Sequence, residues 1–505
     1  MSHVPLTQAQ FQQLAADGHT LIPVVREVLS DLDTPLSVYL KLADGPYTYL
    51  FESVEGGERF GRYSIIGLPA RRVFSFRGHT LETSEHGEVV ERREVADPFA
   101  EVERLRAAHA VPRIEGLPGF TGGLVGWFGF ECIEYIERRL ADGGGIARDI
   151  RDELGTPDIL LMLSDELAVF DNLKGRLYLI VHADPREPQA YARAARRLDA
   201  LTHRLRHAGA GYPETLVPEA IDEADFRSSF TREQYHEVVR KAQDYIRAGD
   251  IFQVVPSQRL SVPFQARPVD VYRALRALNP SPYMYFIDTG STQVVGSSPE
   301  ILARLQYNAN GEGVVTVRPI AGTRPRGATP ELDSALEAEL LADPKERAEH
   351  LMLIDLGRND VGRIAEQGSV EVGEQFVIER YSHVMHIVSE VTGRLKAGLT
   401  YADVLRATFP AGTVSGAPKI RALEIIRELE PVKRNVYSGA VGYIGWHGDA
   451  DTAIAIRTAV IQGGRLYVQA GGGVVHDSDP QAEWEETMNK GRALFRAVAE
   501  AARGL

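Results

Sequence analysis

Residues 436–475 read VYSGAVGYIGWHGDADTAIAIRTAVIQGGRLYVQAGGGVV. Three runs rich in β-forming residues lie at 436–446, 452–461 and 465–475, and turn residues separate them. The glycine pair at 463–464 is a two-residue hairpin signal, so the runs predict a meander of antiparallel strands. Along the rest of the chain, strand-like and helix-like segments do not alternate regularly. The predicted fold class is therefore α+β, with largely antiparallel sheets and flanking helices.

Arg457 is the unusual residue of the second run. Strict alternation places it among alanines on one face of the predicted strand. If the hairpin turns at the glycine pair, Arg457 lies opposite Ala470 and beside Gly471–Gly473. A guanidinium next to close-approach glycine backbone suits a carboxylate ligand. An arginine at the rim of the sheet, paired with a local acid, fits the same pattern equally well.

Composition limits the classes of protein that this chain can represent. Its 505 residues, 44% hydrophobic and 25% charged, are typical of a globular chain with more than one domain. A formal net charge of −14 opposes broad contact with nucleic acid or an anionic membrane. No apolar run is long enough to cross a bilayer, and the first residues lack the order of a secretory signal. We therefore expect a cytoplasmic protein.

One segment predicts where the chain divides. Residues 207–226, HAGAGYPETLVPEAIDEADF, are rich in glycine, proline and acid, which indicates a linker. The predicted regions are 1–215 and 216–505, and we expect them to share sheets. After the linker, Thr231 and Gln234 fit a capping box at the start of a helix.

Two acidic pairs are candidates for a metal site. Glu346 and Glu349 lie three residues apart in a helical pattern and so share a helix face, and Glu483 and Glu486 repeat that spacing. Magnesium prefers hard oxygen ligands, so two helices that each offer a Glu pair could hold it. For either helix alone, a solvated surface is the simpler interpretation, because Glu486 and Lys490 form an ordinary i,i+4 pair.

Three further segments carry chemical groups with more than one interpretation. Glu300 follows a Ser-Ser-Pro turn and could act as an acid if burial raises its pKa, but it could equally be an exposed turn residue. His383 and His386 could transfer protons or be hydrogen-bonded core residues. Residues 409–419, FPAGTVSGAPK, could bind an anion at a helix start, although the spacing to Lys419 is not that of a P-loop.

Taken together, these segments closely resemble the chorismate-utilising enzymes. The N-terminal segments FESVEGGERFGRYSIIG and GGLVGWFGFE are similar to the large subunits of anthranilate synthases. The resemblance implies the α+β fold of that family and a magnesium-dependent lyase that makes anthranilate from chorismate and ammonia, the first committed step of tryptophan biosynthesis. The matching segments cover nearly all of residues 230–495 in the family order: DIFQVVPSQR, NPSPYMYF, VVGSSPEI, RPIAGTRPRG, KERAEHLMLIDLGRND, VMHIVSEV, FPAGTVSGAPK, YSGAVGYIGW, AIRTAVI, QAGGGVV and EWEETMNK.

The resemblance also implies how metal and substrate are held. Glu349 and Glu486 correspond to the family's direct magnesium ligands, and Glu346 and Glu483 correspond to companions that act through water. The Mg²⁺ would orient the ring carboxylate of chorismate and neutralise its charge. The family's substrate-binding positions, of which Tyr437 and Arg457 contact the enolpyruvyl group, are here Gly322, Thr323, Thr413, Gly416, Tyr437, Arg457, Gly471, Gly473 and Lys490.

The resemblance extends to the reacting groups. Glu300 corresponds to the acid that protonates the departing 4-hydroxyl, and His386 to the histidine implicated in the later elimination. Relatives that add water carry lysine in place of Gln253, and many aminodeoxychorismate synthases carry lysine in place of Ala321. This chain has neither lysine, which argues for ammonia addition at C2. The large subunit of aminodeoxychorismate synthase is the nearest alternative, and a non-catalytic binding subunit is another.

Partners follow from the same resemblance. Cys132 is the one cysteine, which excludes an internal disulfide, and its context lacks a nucleophile elbow. A separate glutamine amidotransferase small subunit is therefore expected to supply ammonia, in a heterotetramer of two large and two small subunits. L-tryptophan is expected to inhibit, although Phe51 departs from the usual leucine. The inhibitor pocket would comprise Glu52, Ser53, Asn279, Pro282, Tyr283 and Met284.

Overall fold

The computed structural model describes residues 6–53, 62–141, 150–209, 219–308, 310–381 and 384–505. None of the helices in these ranges combines the length and the apolar character that a membrane-crossing helix requires. The α-helices of the described chain are α1 Gln8–Ala16, α2 Pro35–Leu42, α3 Pro98–Ala107, α4 Ile133–Ile136, α5 Arg138–Ala141, α6 Ala190–His207, α7 Arg232–Arg247, α8 Pro268–Leu278, α9 Pro330–Ala342, α10 Pro344–Ile364, α11 Tyr401–Thr408, α12 Lys419–Leu429 and α13 Pro480–Arg503.

The β-strands fall in four groups along the chain. In the first 215 residues they are β1 Ile22–Leu29, β2 Thr48–Glu52, β3 Tyr63–Gly67, β4 Arg72–Arg77, β5 Thr80–Glu85, β6 Glu88–Glu94, β7 Gly123–Phe128, β8 Ile159–Ser164, β9 Glu166–Asp171 and β10 Arg176–Ala183. Up to residue 325 they are β11 Arg227–Ser228, β12 Gln253–Val254, β13 Ser257–Pro263, β14 Tyr283–Asp288, β15 Thr292–Ser298, β16 Ile301–Tyr307, β17 Gly313–Val317 and β18 Ile320–Pro325. Between residues 371 and 417 they are β19 Glu371–Val372, β20 Val377–Arg380, β21 Val384–Val388, β22 Val391–Arg394 and β23 Gly416–Ala417. The last are β24 Ala440–Gly445, β25 Ala450–Ile454, β26 Thr458–Gln462 and β27 Arg465–Gly471.

Two eleven-stranded sheets contain most of these strands. The first sheet has the order β1-β10-β9-β3-β2-β14-β15-β26-β27-β13-β11, and the second has β19-β22-β17-β16-β25-β24-β7-β8-β4-β5-β6. Two smaller sheets are β18-β21-β20 and β12-β23. The strand pairs within these sheets are antiparallel, for example β24 with β7 and β14 with β2. The predicted α+β class with largely antiparallel sheets is confirmed.

Both large sheets contain strands from each side of residue 215, as we expected. The predicted linker centres on residues 210–218, which lie outside the described residues, so the boundary between regions 1–215 and 216–505 stays a prediction. The capping box after it is present: the N–H of Thr231 donates to the Gln234 side chain at 2.8 Å. The N–H of Gln234 donates back to the Thr231 hydroxyl at 3.2 Å. Caps of this kind contribute about 1 kcal/mol to helix stability.

The two large sheets pack face to face, and helices cover their outer faces. One apolar cluster lies between the sheets, and two others lie between each sheet and its helices. Strand β8 shows why its sequence, ILLMLS, is apolar at nearly every position. Leu160 and Met162 point to the layer between the sheets, whereas Ile159 and Leu161 point to the helix-covered side. A strand that is buried on both faces needs no polar alternation.

The predicted meander at residues 436–475 is partly wrong. The hairpin at 463–464 is confirmed, with Ala459 paired to Val468. However, the run 452–461 is not one strand: β25 lies in the second sheet and β26 in the first. The chain crosses between the sheets at residues 455–457, where Arg457 adopts a left-handed backbone with φ 50°. This backbone conformation turns the chain, so the alternation predicted across the run breaks there.

Candidate active site

Two neighbouring crossings between the sheets bring Glu300 and Arg457 together. The chain leaves the first sheet at the end of β15 and enters the second at Ile301, so Glu300 lies at this crossing. At the other crossing, the N–H of Ile454 donates to the Glu300 carbonyl at 2.9 Å. The N–H of Ser297 donates to the Arg457 carbonyl at 3.1 Å. The left-handed backbone of Arg457 is the kind of strained conformation that surrounding structure must hold in place.

The carboxyl of Glu300 is buried, with 6% of the residue exposed. Burial raises its pKa to about 8, while Thr413, Arg457 and Lys490 act in the opposite direction. At neutral pH the carboxyl therefore holds its proton. A buried, protonated carboxyl can donate that proton to a leaving group. The exposed-turn alternative for Glu300 is excluded by its burial.

His386 lies on β21 with its ring held by the neighbouring strand β18. Its Nδ1 is 2.8 Å from the carbonyl oxygen of Gly322 and 3.2 Å from the Thr323 hydroxyl. A carbonyl oxygen can only accept, so Nδ1 carries the proton and Nε2 is left as an acceptor. Nε2 is buried and has no hydrogen-bond partner among the described residues. Its neighbour in the sequence motif, His383, lies outside the described residues.

The electrostatic surroundings keep His386 uncharged. Burial lowers its pKa to about 4, and the cations Arg457 and Lys490 lower it further, against the hydrogen bond to Gly322. The imidazole is therefore neutral at physiological pH and can accept a proton at Nε2. The site thus contains an acid that holds its proton and a base that is free to take one.

The loop at 409–419 forms another wall of this site. Thr413 lies in a short 3₁₀ turn, Gly412–Val414, close enough to Glu300 to affect its pKa. Gly416 has φ 137° and pairs with Val254. A Cβ at this position would lie 2.2 Å from the Gln253 carbonyl, so only glycine fits. The segment is followed by α12, whose first residue is Lys419.

A strip of glycines at the end of β27 forms the opposite wall. A Cβ on Gly471 would lie 3.0 Å from the Tyr437 hydroxyl and 2.8 Å from the Pro256 carbonyl. A Cβ on Gly473 would lie 2.5 Å from Nε2 of Gln253. These glycines allow the backbone to approach both side chains closely. Tyr437 is itself buried, with 7% of the residue exposed.

The first Glu pair lies on α10, which confirms the helix predicted for it. The Gln253 side chain donates to Oε1 of Glu349 at 3.3 Å. Glu346 lies beside Gly322, whose Cβ would be 3.1 Å from Oε2. Burial raises the pKa of Glu346, and the negative charge of Glu349 raises it further, against Arg324. Arg324 lies 3.5 Å from Glu346 and was not singled out from the sequence.

The second Glu pair lies on α13, again as predicted. The Ser478 hydroxyl donates to Oε1 of Glu483 at 2.7 Å, whereas Oε2 is buried without a hydrogen-bond partner among the described residues. Burial raises the pKa of Glu483 to about 7, and Glu486 adds to the rise. Lys490 pairs with Glu486 at 2.7 Å and donates to the Gly471 carbonyl at 3.0 Å. The ordinary i,i+4 pair therefore also joins the helix to the glycine strip.

The carboxylates of α13 lie beside the glycine strip, and Glu349 of α10 is linked to the same strip through Gln253. Glu349 is hydrogen-bonded to Gln253, which contacts Gly473, and a Cβ on the adjacent Gly472 would be 2.8 Å from Glu483 and 3.7 Å from Glu486. Within the described ranges, three or more potential ligands do not gather into a ready-made metal cluster. Magnesium usually takes only one or two protein carboxylates and completes its shell with water and substrate oxygens. The buried, unpartnered oxygen of Glu483 and the crowded carboxylates fit such a donor set.

The two segments predicted to bind an inhibitor lie on adjacent strands. Glu52 of β2 pairs with Met284 of β14, and Ser53 and Tyr283 extend the same neighbourhood. The carboxylate of Glu52 is buried and accepts hydrogen bonds from Tyr272 and, at 3.1 Å, from Arg276. These two partners on α8 were not singled out from the sequence.

The segments predicted to bind an inhibitor are connected to the crossings that hold Glu300 and Arg457. The Ser297 hydroxyl donates to the Asn279 carbonyl at 2.6 Å, while the Ser297 N–H donates to the Arg457 carbonyl. Pro282 lies between Asn279 and the start of β14. Strand β15 therefore contacts both groups of predicted residues.

Comparison with known proteins gives consistent matches. The family model described as chorismate binding enzyme matches residues 49–496. The chain is 59% identical over 500 residues to anthranilate synthase component 1 of Pseudomonas aeruginosa, covering 98% of this chain and 99% of that protein. It superposes on the crystal structure of anthranilate synthase component I from Streptococcus pneumoniae TIGR4 with a TM-score of 0.75 and 38% identity, covering 93% and 99% of the two chains. The menaquinone-specific isochorismate synthase of Escherichia coli has the same fold, with a TM-score of 0.70 at 18% identity and 97% and 98% coverage.

Proposed function

This chain belongs to the chorismate-binding enzymes and, within them, to the anthranilate synthase component 1 proteins, and on this premise we propose that it converts chorismate and ammonia to anthranilate and pyruvate. The observation that carries the proposal is the pairing of a buried, protonated carboxyl with a neutral histidine in one site. Glu300 has a pKa of about 8 and His386 a pKa of about 4. Groups whose surroundings separate their pKa values in this way can divide acid and base roles between them.

In the first step, ammonia adds at C2 of chorismate, both ring double bonds shift, from C1–C2 to C1–C6 and from C5–C6 to C4–C5, and the C4–oxygen bond breaks. Glu300 gives its proton to the departing hydroxyl, which leaves as water, and the new ammonium group returns one proton to the carboxylate. The product of this step is aminodeoxyisochorismate. Hydroxide is a poor leaving group, so general acid catalysis is needed here.

In the second step, Nε2 of His386 removes the proton at C2. The bond between the ring and the enolpyruvyl oxygen breaks, and the enolate takes up a proton to become pyruvate. The ring becomes aromatic and anthranilate forms. The hydrogen bond from Nδ1 to Gly322 supports this role because it leaves the Nε2 lone pair available.

Substrate binding falls to the walls described above. Arg457 and Tyr437 would contact the enolpyruvyl group, and the N–H groups of Gly471 and Gly473 would donate to its carboxylate. Gly322, Thr323, Thr413 and Gly416 would line the remaining pocket.

The Glu pairs would hold Mg²⁺ against the ring carboxylate. Glu349 and Glu486 would bind it directly, Glu346 and Glu483 would act through water, and Lys490 would face the same carboxylate. When bound, the metal neutralises the ring carboxylate and orients it. Burial raises the pKa of Glu346 and Glu483, and the like charge of Glu349 or Glu486 in the same pair raises it further, which supports a cation near these carboxyls.

Gln253 and Ala321 support ammonia as the nucleophile. A lysine at either position could activate water or attack the ring, and neither glutamine nor alanine can do so. Both residues are buried, with 5% and 8% exposed. The second candidate, the large subunit of aminodeoxychorismate synthase, is disfavoured by Ala321.

We further propose that a separate glutamine amidotransferase subunit supplies the ammonia in the cytoplasm, in an assembly of two large and two small subunits. Cys132 supports this, because it is fully buried and its thiol pKa is raised by burial. A thiol in that state is a poor nucleophile. L-tryptophan is proposed to inhibit at the segments around Glu52 and Asn279.

The direct test is incubation of the isolated chain with chorismate, ammonium and Mg²⁺ while anthranilate fluorescence is recorded. We expect fluorescence that depends on all three additions. Fluorescence that fails to appear in the complete mixture, with chorismate consumed to another product, would refute the proposed reaction.

A further inference from the structure

The guanidinium of Arg434 is a buried charge to which the reaction above gives no role. Arg434 lies in the loop between α12 and β24, and only 2% of the residue is exposed. A guanidinium has five N–H groups, and this one makes five hydrogen bonds. Its acceptors are both carboxylate oxygens of Glu430 at 2.9 and 2.6 Å, the carbonyls of Val414 and Val255 at 2.7 Å each, and the Ser438 hydroxyl at 3.3 Å.

Each acceptor other than Glu430 belongs to a different segment beside the proposed chorismate site. Val414 follows Thr413 in its 3₁₀ turn, and Val255 follows β12, which carries Gln253. Ser438 is the neighbour of Tyr437 in the sequence. The Arg434 side chain therefore joins the three segments that carry the Thr413 hydroxyl, the Gln253 amide and the Tyr437 phenol.

Arg434 also supports Tyr437 directly. Its guanidinium carbon lies 5.5 Å from the centre of the Tyr437 ring and 4.6 Å from that of Phe130. The N–H of Tyr437 donates to the Arg434 carbonyl at 3.1 Å. Left-handed backbone at Asn435 and Ser438, with φ 54° and 64°, directs the chain between these contacts. Such conformations persist only where surrounding contacts hold them.

The charge of Arg434 is balanced within the same network. Glu430 is buried, with 3% exposed, and its Oε1 also accepts from the N–H and the hydroxyl of Ser257 at 2.7 and 2.8 Å. Ser257 pairs with Gly471 across β13 and β27. The Arg434–Glu430 ion pair is therefore also connected to the glycine strip, so one hydrogen-bond network joins all of these segments.

We propose that Arg434 is a positioning residue that sets the distances between Thr413, Gln253, Tyr437 and the glycine strip, and so determines how well chorismate fits. This inference rests on the proposed function. Lysine cannot substitute, because an ammonium has three donors and lacks the planar fork that binds Glu430 at two points.

The test compares Arg434→Lys with Leu198→Ala in the full chain. Leu198 is buried in α6 on the far side of the first sheet and belongs to no part of the site, so its variant controls for lost stability. In Arg434→Lys we expect KM for chorismate to rise at least about tenfold, while KM for ammonium changes little. Guanidinium ion added below denaturing concentrations to Arg434→Ala should restore part of the activity, and urea should not.

Calorimetric titration with chorismate and Mg²⁺ separates failure of this inference from failure of the proposed reaction. A wild-type chain that makes no anthranilate defeats the reaction, yet weaker chorismate binding by Arg434→Lys still supports positioning. The inference is overturned if Arg434→Lys resembles Leu198→Ala, with lower stability and unchanged chorismate binding. If Arg434→Lys does not fold, Ser438→Ala removes one acceptor: a smaller rise in chorismate KM supports the inference, and unchanged binding overturns it.

Discussion

Glu300 and Arg457 lie at the two adjacent points where the chain passes from one large sheet to the other, and the N–H of Ile454 ties these crossings together with a 2.9 Å hydrogen bond to the Glu300 carbonyl. Residues at a crossing lie between two strands and are not part of either, so their side chains can point into a cleft. The sheets themselves are rigid and hold both residues in place. The proposed acid and the proposed carboxylate-binding cation thus depend on the same feature of the fold.

Replacement of Glu300 by glutamine should remove the proton donor. We expect kcat to fall by roughly 10²–10⁴-fold, the usual contribution of a general acid. In the wild type, kcat should fall as pH rises through about 8, because the carboxyl then loses its proton. Measurement of kcat against pH for both proteins checks this, with circular dichroism as the control for folding. A Glu300→Gln profile that still falls near that pH would assign the titration to another group.

Stability should also depend on Glu300. Its pKa is raised from 4.5 to about 8 in the folded chain, so between these values the folded state keeps a proton that the unfolded state releases. The free energy of unfolding therefore decreases as pH rises through this window. Urea unfolding at several pH values should show a smaller decrease for Glu300→Gln than for the wild type. Equal decreases in the two proteins would contradict the raised pKa.

Glutamine at Glu349 or Glu486 should abolish activity through loss of a metal ligand while the fold stays intact. Removal of a direct ligand is expected to cost at least about 10²-fold in activity at fixed Mg²⁺. Glu485→Gln is the matched control, because Glu485 is exposed like its neighbour Glu486 but bonds to Gln481 at 2.8 Å and is not a proposed ligand. Titration of activity with Mg²⁺ distinguishes the three variants. Unchanged activity in either ligand variant would remove that residue from the metal site.

Lysine at Gln253 should allow water to compete with ammonia. Gln253 is buried and contacts both Glu349 and Gly473, so an amine there would lie beside the carboxylate that we propose to bind the metal. We expect Gln253→Lys to form isochorismate from chorismate without ammonium, and Gln253→Leu to form none. Chromatography of the products checks this. Absence of isochorismate with Gln253→Lys would show that this residue does not select the nucleophile.

Substitution of Ser53 by phenylalanine should weaken tryptophan inhibition by placing a bulky side chain at the end of β2, inside the predicted inhibitor segment. Basal activity should change little, because Ser53 is not among the proposed substrate contacts. Gln293→Ala is the control, since Gln293 lies at the turn end of the hairpin formed by β14 and β15, away from Ser53, and bonds to Asp288 at 2.9 Å. Anthranilate formation is measured against tryptophan concentration. Inhibition that is unchanged in Ser53→Phe would place the inhibitor elsewhere.

The sequence predicted elements better than it predicted what they face. The i,i+3 spacing of Glu346 and Glu349 fixed one helix face, and α10 confirms it. Nothing in that spacing says that the face meets Gln253 and Gly322, because Glu349 and its partner Gln253 lie 96 positions apart. Only the resemblance to a family supplied that information.

The prediction of one strand over residues 452–461 was wrong for a related reason. Alternation of apolar residues looks the same whether one sheet or two receives the strand. The crossing depends on the left-handed backbone at Arg457, a conformation that an arginine does not signal in sequence. Arg434 was missed because two of its acceptors, Val414 and Val255, lie on distant segments, and a loop reading PVKRN gives no sign of a buried charge.

The most direct measurement of the central claim uses ¹⁵N-labelled ammonium with chorismate and Mg²⁺, followed by mass spectrometry and NMR of the product. The account predicts one pyruvate for each aromatic product, with the labelled amine at the ring carbon next to the carboxylate. A labelled amine at the para position, or a hydroxylated product without nitrogen, would contradict it.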